Sequence, residues 1–417
     1  MFKITVTEEL KEKLIRWADS NFEQICVLDS NNYKDPLSEI QWELSFSAIR
    51  KIELQSTDNA FDLLKEFYNS SNKKLYGFFS YDLKNDVEKL VSNHNPEIDF
   101  PELFFYEAEH VISQIDDQLI SETFDFSILP EHIDISSTSS SNQQSLEIKQ
   151  HCTKSEYIET IKKLKEHIYN GDIYEINYCI PFSVYNFNKD LISTYFKLNQ
   201  LSPNPFTCLL KNNSQYIVSA SPERFLRLKA NKLYSQPIKG TKKRSSNIEK
   251  DREELLNDEK ERAENVMIVD LVRNDLKKVA IKGSIQVDEL FGIYTFPQLH
   301  QMISTISAQA NPNLHVVDYI KSCFPMGSMT GAPKLRAMQL IEQYEVFRRS
   351  AFSGALGYFD LNHGNFDFNV LIRSLFIDKK TQSLTFSVGS AITYDSIAEK
   401  EYDECLLKSS AIQKILN

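Results

Sequence analysis

Apolar and polar positions along this chain follow two periods, and the change between them separates helices from strands. Around Glu8 to Trp17 and Ala60 to Tyr68 apolar residues recur at three- and four-residue spacing, which predicts amphipathic helices. Leu75-Tyr-Gly-Phe-Phe-Ser-Tyr81 is a short apolar run. Thr153 with Glu156 reads as a capping box, Ile158, Ile161, Leu164 and Ile168 continue at helical spacing, and Gly171 stands at the stop. Ile217-Val218, Phe225-Leu-Arg-Leu228 and Leu233-Tyr-Ser-Gln-Pro-Ile238 have strand character, and a turn near Lys229 to Lys232 would join the last two as a hairpin. Lys239 then falls at a strand end. Pro333 suits the first turn of a helix running through Met338 and Ile341, while Gly354 and Gly357 interrupt a later strand-like stretch. There is no internal repeat.

Between Ile135 and Leu146 the periodicity gives way to Ser, Thr, Asn and Gln, a run too polar to hold a fixed shape. This predicts an N-terminal region (1–135) that packs on the core, a linker or loop (136–146), and a region (147–417) that holds the motifs with chemical content. At 417 residues, 41% hydrophobic and 12% aromatic, the chain can bury a large core. A net charge of -11 argues against nucleic-acid or anionic-membrane partners, so an anionic substrate needs a local cationic site. Cys26, Cys152, Cys179, Cys208, Cys323 and Cys405 form no paired or metal-spaced cluster, which predicts buried thiols in a reducing cytoplasm. The first residues lack the apolar core of a signal peptide, and no run reaches membrane-span length.

Candidate chemistry begins at Pro237-Ile-Lys-Gly-Thr241. A lysine with a pKa near 10.4 offers only about one free amine in a few thousand molecules at neutral pH. A nucleophilic Lys239 therefore needs burial or neighbouring cations, such as Lys242, Lys243 or Arg244. An ordinary lysine keeps its ammonium in water, and both readings stay open on the pentapeptide alone. Glu223, sixteen positions earlier, is brought near by the hairpin, and taken without its context reads as the ion partner of Arg224 or Arg227. Glu261 with Glu264, and Glu401 with Glu404, each project from one helix face. Four converging carboxylates repel without a cation, and their hard oxygens suit magnesium; glutamate-rich helices also present such pairs simply to water. Gly327-Ser-Met-Thr-Gly-Ala-Pro-Lys334 imitates a phosphate loop, but its spacing fails and residue 335 is leucine.

Together with Ser221-Pro-Glu-Arg-Phe225, Lys260-Glu-Arg-Ala-Glu-Asn-Val-Met-Ile-Val-Asp-Leu-Val-Arg-Asn-Asp275, Phe324-Pro-Met-Gly-Ser-Met-Thr-Gly-Ala-Pro-Lys334 and Glu401-Tyr-Asp-Glu404, these stretches resemble the chorismate-utilising enzymes. The resemblance runs from about His151 to the C-terminus. It implies an α+β fold, with antiparallel β-sheets packed face to face and flanked by helices. It also implies chorismate as substrate and Mg2+ as cofactor, with Glu264 and Glu404 as direct ligands and Glu261 and Glu401 holding waters. Lys239 matches a lysine that attacks C2, and Glu223 matches the acid that protonates the departing 4-hydroxyl, after which ammonia adds at C4. Lysine in this motif is similar to the members that aminate C4, whereas anthranilate-forming members usually carry alanine. Anthranilate formation, or a chorismate-binding subunit with impaired catalysis, remain the alternatives.

For the substrate itself, the resemblance points to Gly240 and Thr241, to Ser328 and Thr330, and to Tyr358, Arg373, Gly389, Ser390, Ala391 and Lys408. Arginine's fork suits a carboxylate. Ala391 departs from a Gly-Ala-Gly pattern. Gln301 stands where the family usually has histidine, leaving His300 one place early and, on a strand, on the opposite face. Glu175 occupies a position that is usually glutamine in ammonia-using members and lysine in water-using ones, and it cannot copy a lysine base. No cysteine resembles a glutaminase nucleophile, so ammonia is expected from a separate glutamine amidotransferase subunit. Leu28-Asp-Ser30 and Pro203-Asn-Pro-Phe206 match the segments of the family's tryptophan pocket.

Overall fold

The computed structural model describes residues 1–33, 35–130, 146–296 and 299–416. Nearly all of the polar stretch read as a linker therefore lies outside the described residues.

Two antiparallel sheets share a pair of long strands, Trp42–Leu54 and Leu103–Ile115, which pair along their length. One half of Trp42–Leu54 pairs with Gln24–Asp29 and leads through Phe206–Asn212, Gln215–Ser221, Ser374–Asp378 and Ser383–Ile392 to Glu175–Val184. The start of Leu103–Ile115 pairs with Leu75–Phe79 and leads through Ala355–Asp360, Asn365–Asn369, Arg224–Lys229 and Lys232–Gln236 to Leu299–Gln309. The shared pair slips register between Ala48 and Arg50, beside Ser47 at φ 60°. A bulge of this kind bends and twists a strand, which lets one strand serve two sheets.

Side-chain alternation identifies the layers. Cys26, Cys208, Leu210, Ile217 and Phe376 enter a core shared with Phe79, Leu226, Leu233 and Phe368 of the other sheet. Their neighbours Ile25, Val27, Leu209, Val218 and Ile377 point the other way, into a core with Leu14 and Ile15, Ile161 and Leu164, and Ile412 and Leu416 of the flanking helices. Successive strand residues face opposite sides, so the first sheet is apolar on both faces, covered by a sheet on one and by helices on the other. The fold is α+β with face-to-face antiparallel sheets, as the resemblance implied.

The strongly periodic segments form the expected elements. Glu8–Asn21 and Ala60–Asn69 are helices. Lys154–Tyr169 carries the Thr153–Glu156 capping box, and Gly171 follows at φ 79°. Strands of the N-terminal region pair directly with later ones, Gln24–Asp29 with Phe206–Asn212 and Leu75–Phe79 with Ala355–Asp360.

Two strand expectations are corrected. Pro237, which has no N–H for a ladder, divides the run into Lys232–Gln236 and Ile238–Lys243, so Lys239 lies near the start of a new strand. Gly357 does not interrupt Ala355–Asp360; the Asp367 carbonyl sits where a Cβ would be, so glycine permits close strand approach. No helix among the described residues is long and apolar enough to cross a membrane. All six cysteines are buried free thiols.

Candidate functional site

A cavity of about 580 Å³ opens beside the strand Ile238–Lys243, between the helices Glu259–Lys277 and Ala398–Leu416. It is lined by Lys239, Glu223, Gly240, Thr241, Ser328, Arg373, Gly389, Ala391 and Lys408, and by all four glutamates, Glu261, Glu264, Glu401 and Glu404. Residues more than 180 positions apart in the chain thus share one wall.

The strands aim the two central groups. Arg224–Lys229 and Lys232–Gln236 form the expected hairpin, and register shifts at Arg224/Arg227 and at Ile238/Thr241 put a bulge beside each of Glu223 and Lys239. Gly240 adopts φ 99°, a conformation natural to glycine, and an added Cβ there would stand 3.2 Å from Glu261 Oε2. Asn265 Nδ2 donates to the Lys239 carbonyl (3.3 Å), and Ser304 Oγ donates to Asn265 Oδ1 (2.6 Å).

Lys239 is 8% exposed and pairs directly with Glu175, which is 4% exposed. Burial favours its neutral amine, but Glu175, Glu264 and Glu223 together outweigh burial and hold the lysine pKa above its ordinary value. The expectation of an amine freed by neighbouring cations is therefore corrected. Lys243 and Arg244 line the cavity, but Lys242 turns aside to Glu254, and carboxylates dominate the field at Lys239. In the ligand-free protein Lys239 is an ammonium.

Glu223 behaves oppositely. Burial pushes its pKa up to about 7, against the opposing pull of Ser328, Lys239 and Arg373, so near neutrality it can donate a proton. Burial lowers Arg373 to about 10, opposed by Glu223. The Arg373 guanidinium makes no hydrogen bond or ion pair among the described residues, and its backbone sits at φ 52°. An unpaired planar fork on a cavity wall can receive an anion.

The glutamates supply the acidic wall. Asp258 caps the helix Glu259–Lys277, accepting from the Glu261 amide at 3.1 Å, and residues three apart then share a face. Burial raises Glu264 to about 7, and its Oε1 is buried without a hydrogen-bond partner among the described residues. Lys260 reaches Glu401 Oε1 at 3.3 Å and Glu264 Oε1 at 3.7 Å, bridging the two helices. Glu404 is opposed by burial yet held below its ordinary value by Lys408, at 2.7 Å. Among the described residues no three side chains stand together at metal-ligating distance. The donors nevertheless suit a hard divalent cation, being carboxylate oxygens of which one is buried and orphaned.

This wall has a stability consequence. Glu264 binds its proton more tightly folded (about 7) than at its ordinary 4.5, so folding is weakened as pH rises from 4.5 through 7. In metal-free buffer Glu264→Gln should melt higher than wild type at pH 8, by up to about 3 kcal/mol, with no gain below pH 4.5. Thermal melts at both pH values measure this; equal melting at pH 8 would refute the assignment.

Three residues expected in the site lie elsewhere. Ser390 alternates to the opposite face from Gly389 and Ala391, where its hydroxyl meets Tyr157 at 2.9 Å. Thr330 spends its hydroxyl on the Met326 (3.2 Å) and Gly327 (3.3 Å) carbonyls. Tyr358 lines a separate, smaller cavity with Leu28, Ser30, Phe206 and Asp367, where both segments matched to the tryptophan pocket also meet. The aromatic facing the main cavity is Phe352, which no sequence period singles out. Lys260 and Asn177 also line it unforeseen, although a lysine beside Glu261 was a visible charge signal. Gln301 faces the cavity, while His300 is buried behind it against Thr295 (3.0 Å) and Asp251 (3.8 Å). Lys334 ties the Asp275 carboxylate (2.5 Å) to the Pro325 carbonyl (2.7 Å), a structural role in place of phosphate binding.

Comparison with known proteins gives the chain's relatives and its family. The chain is 39% identical over 267 residues to aminodeoxychorismate synthase component 1 of Escherichia coli, a match covering 63% of this chain and 58% of that relative's length. It is 34% identical over 347 residues to an anthranilate synthase component I-like protein of Synechocystis, covering 81% of this chain and 71% of the relative. Among solved structures, anthranilate synthase component I of Streptococcus pneumoniae superposes with a TM-score of 0.77 over 92% of this chain and 94% of that one, at 23% identity, which speaks to fold alone. A family model described as chorismate binding enzyme matches residues 18–414, so both sheets, the cavity and its acidic wall all fall within it, and the chain belongs to that family.

Proposed function

We propose that the chain is the synthase component of an aminodeoxychorismate synthase, converting chorismate and ammonia to 4-amino-4-deoxychorismate in the cytoplasm, for para-aminobenzoate and folate synthesis. The observation that carries the reading is a buried lysine sharing one cavity with an acid poised near pH 7 and an unpaired arginine. Arg373 and Lys408 bind carboxylate on the cationic side of the cavity. The Lys239 amine forms a bond to C2 as the C4–O bond breaks, and Glu223 protonates the departing hydroxyl to water. Ammonia then adds at C4 and expels the lysine amine. Glu264 and Glu404 are assigned as direct Mg2+ ligands, with Glu261 and Glu401 holding waters. Bound magnesium would draw the ring carboxylate to an otherwise repellent wall and withdraw electron density from the ring. A separate glutamine amidotransferase subunit supplies the ammonia.

Two observations favour the rival, anthranilate formation: Lys239 rests as an ion-paired ammonium, and the Synechocystis relative carries the anthranilate synthase name. The test is product identification from chorismate, Mg2+ and ammonium, with and without excess chelator. The expected result is 4-amino-4-deoxychorismate, lost on chelation and restored by Mg2+. Anthranilate with pyruvate would support the rival, absence of any product an impaired subunit, and full turnover in chelator would remove the metal.

A further inference from the structure

The ion pair between Lys239 and Glu175 raises a question of proton traffic that rests on the amination reading. An ammonium has no lone pair, so Lys239 must lose a proton before it can attack carbon. Lys239 and Glu175 are both largely withdrawn from water, which leaves the protein itself as the place for that proton. Glu175, Glu264 and Glu223 face the amine most strongly, with Glu261, Glu404 and Lys408 more weakly coupled. Of these, Glu175 alone is in hydrogen-bond contact with Lys239 Nζ among the described residues. Glu223 must be protonated at the same moment to serve the leaving hydroxyl, and Glu264 belongs to the acidic wall.

Glu175 is also rigidly held. It opens the strand Glu175–Val184 and pairs with Ala332, while the Glu175 carbonyl packs so closely on Gly331 that any Cβ there would collide with it. We propose that Glu175 is the catalytic base that takes the proton from the Lys239 ammonium as the amine attacks.

The step balances. The proton passes from Lys239 Nζ to a Glu175 oxygen, giving neutral amine and neutral acid. The amine then bonds to C2, the C4–O bond breaks, and the Glu223 proton leaves in water. Ammonia adds at C4 and Lys239 departs with its bonding pair. The new C4 ammonium re-protonates Glu223, and Glu175 returns its proton to Lys239.

The experiment compares wild type, Glu175→Gln and Glu175→Ala at constant free ammonia and Mg2+, after circular dichroism confirms folding. Glu175→Gln keeps the hydrogen bond but cannot take a proton. Its amination kcat should fall about 10²- to 10⁴-fold near pH 7 with chorismate KM little changed. Its rate should recover as pH rises toward the lysine range, and added formate should partly restore Glu175→Ala. A Glu175→Gln rate within twofold of wild type, or above it, would overturn the proposal; the carboxylate would then be only an electrostatic restraint. A loss with neither the alkaline shift nor formate rescue would also overturn it, as a packing effect. Both arms presuppose that wild type makes 4-amino-4-deoxychorismate. Wild type yielding anthranilate and pyruvate would instead defeat the amination reading, and the base assignment with it.

Discussion

Replacing Lys239 by alanine is expected to lower 4-amino-4-deoxychorismate formation by at least about 10³-fold, because a covalent route loses the atom that forms its bond. The loss should fall on kcat, since the carboxylate partners Arg373 and Lys408 remain in the cavity. The same substitution leaves Glu175 buried without its cation, a situation that typically costs about 3–5 kcal/mol. Lys239→Ala should therefore also melt early. Adding Glu175→Gln removes the stranded charge, so the double variant should regain most of the stability and none of the activity. Turnover and thermal melts on the three proteins separate the two effects. A single variant retaining more than about a tenth of wild-type turnover would be incompatible with a covalent role.

A comparable loss of stability is expected behind the site, at Asp367. Arg224 and Arg227 are almost fully buried, and Asp367 accepts from Arg224 Nε at 2.8 Å, Arg224 Nη2 at 2.9 Å and Arg227 Nη1 at 2.6 Å. Burial opposes its charge, but the two guanidinium groups hold its carboxyl below the ordinary range. Asp367→Ala removes the shared anion and strands two buried cations. The expected destabilisation is about 3 kcal/mol, at the low end for a broken buried pair because Arg224 keeps Asp35 and Arg227 keeps Glu39. For a carboxyl held low, the contribution is present above the ordinary 3.8 and is lost as pH falls through its folded value. Urea midpoints should thus separate wild type and variant at pH 7 and converge at strongly acidic pH. Because Arg224 opens the strand that follows Glu223, kcat should fall as well. An unchanged urea midpoint at pH 7 would show that the triad contributes nothing to stability.

Much of this protein was legible from local pattern. The helix Lys154–Tyr169 was readable because its cap, period and stop all lie within one segment. The hairpin that carries Glu223 toward Lys239 was readable for the same reason, as was the shared face of each glutamate pair. In these cases bond geometry fixes direction over a few residues, whatever the rest of the chain does.

Contacts between distant segments decided the rest. Three residues assigned to the substrate proved to lie off the cavity. Ser390 falls on the face of its strand that carries Leu384, Phe386 and Ile392 into the helix-covered core, whereas the resemblance named three successive residues and a strand turns only alternate ones to a cavity. Tyr358 yielded its place to Phe352, because the turn before the strand, and not the strand, reaches the cavity. Most consequential is the charge on Lys239, set by a carboxylate 64 residues away on a strand of the other sheet. The sequence alone determined which groups could do chemistry; whether each is charged, paired or free depends on burial and on neighbours within a few ångströms, and only the folded chain brings those neighbours together.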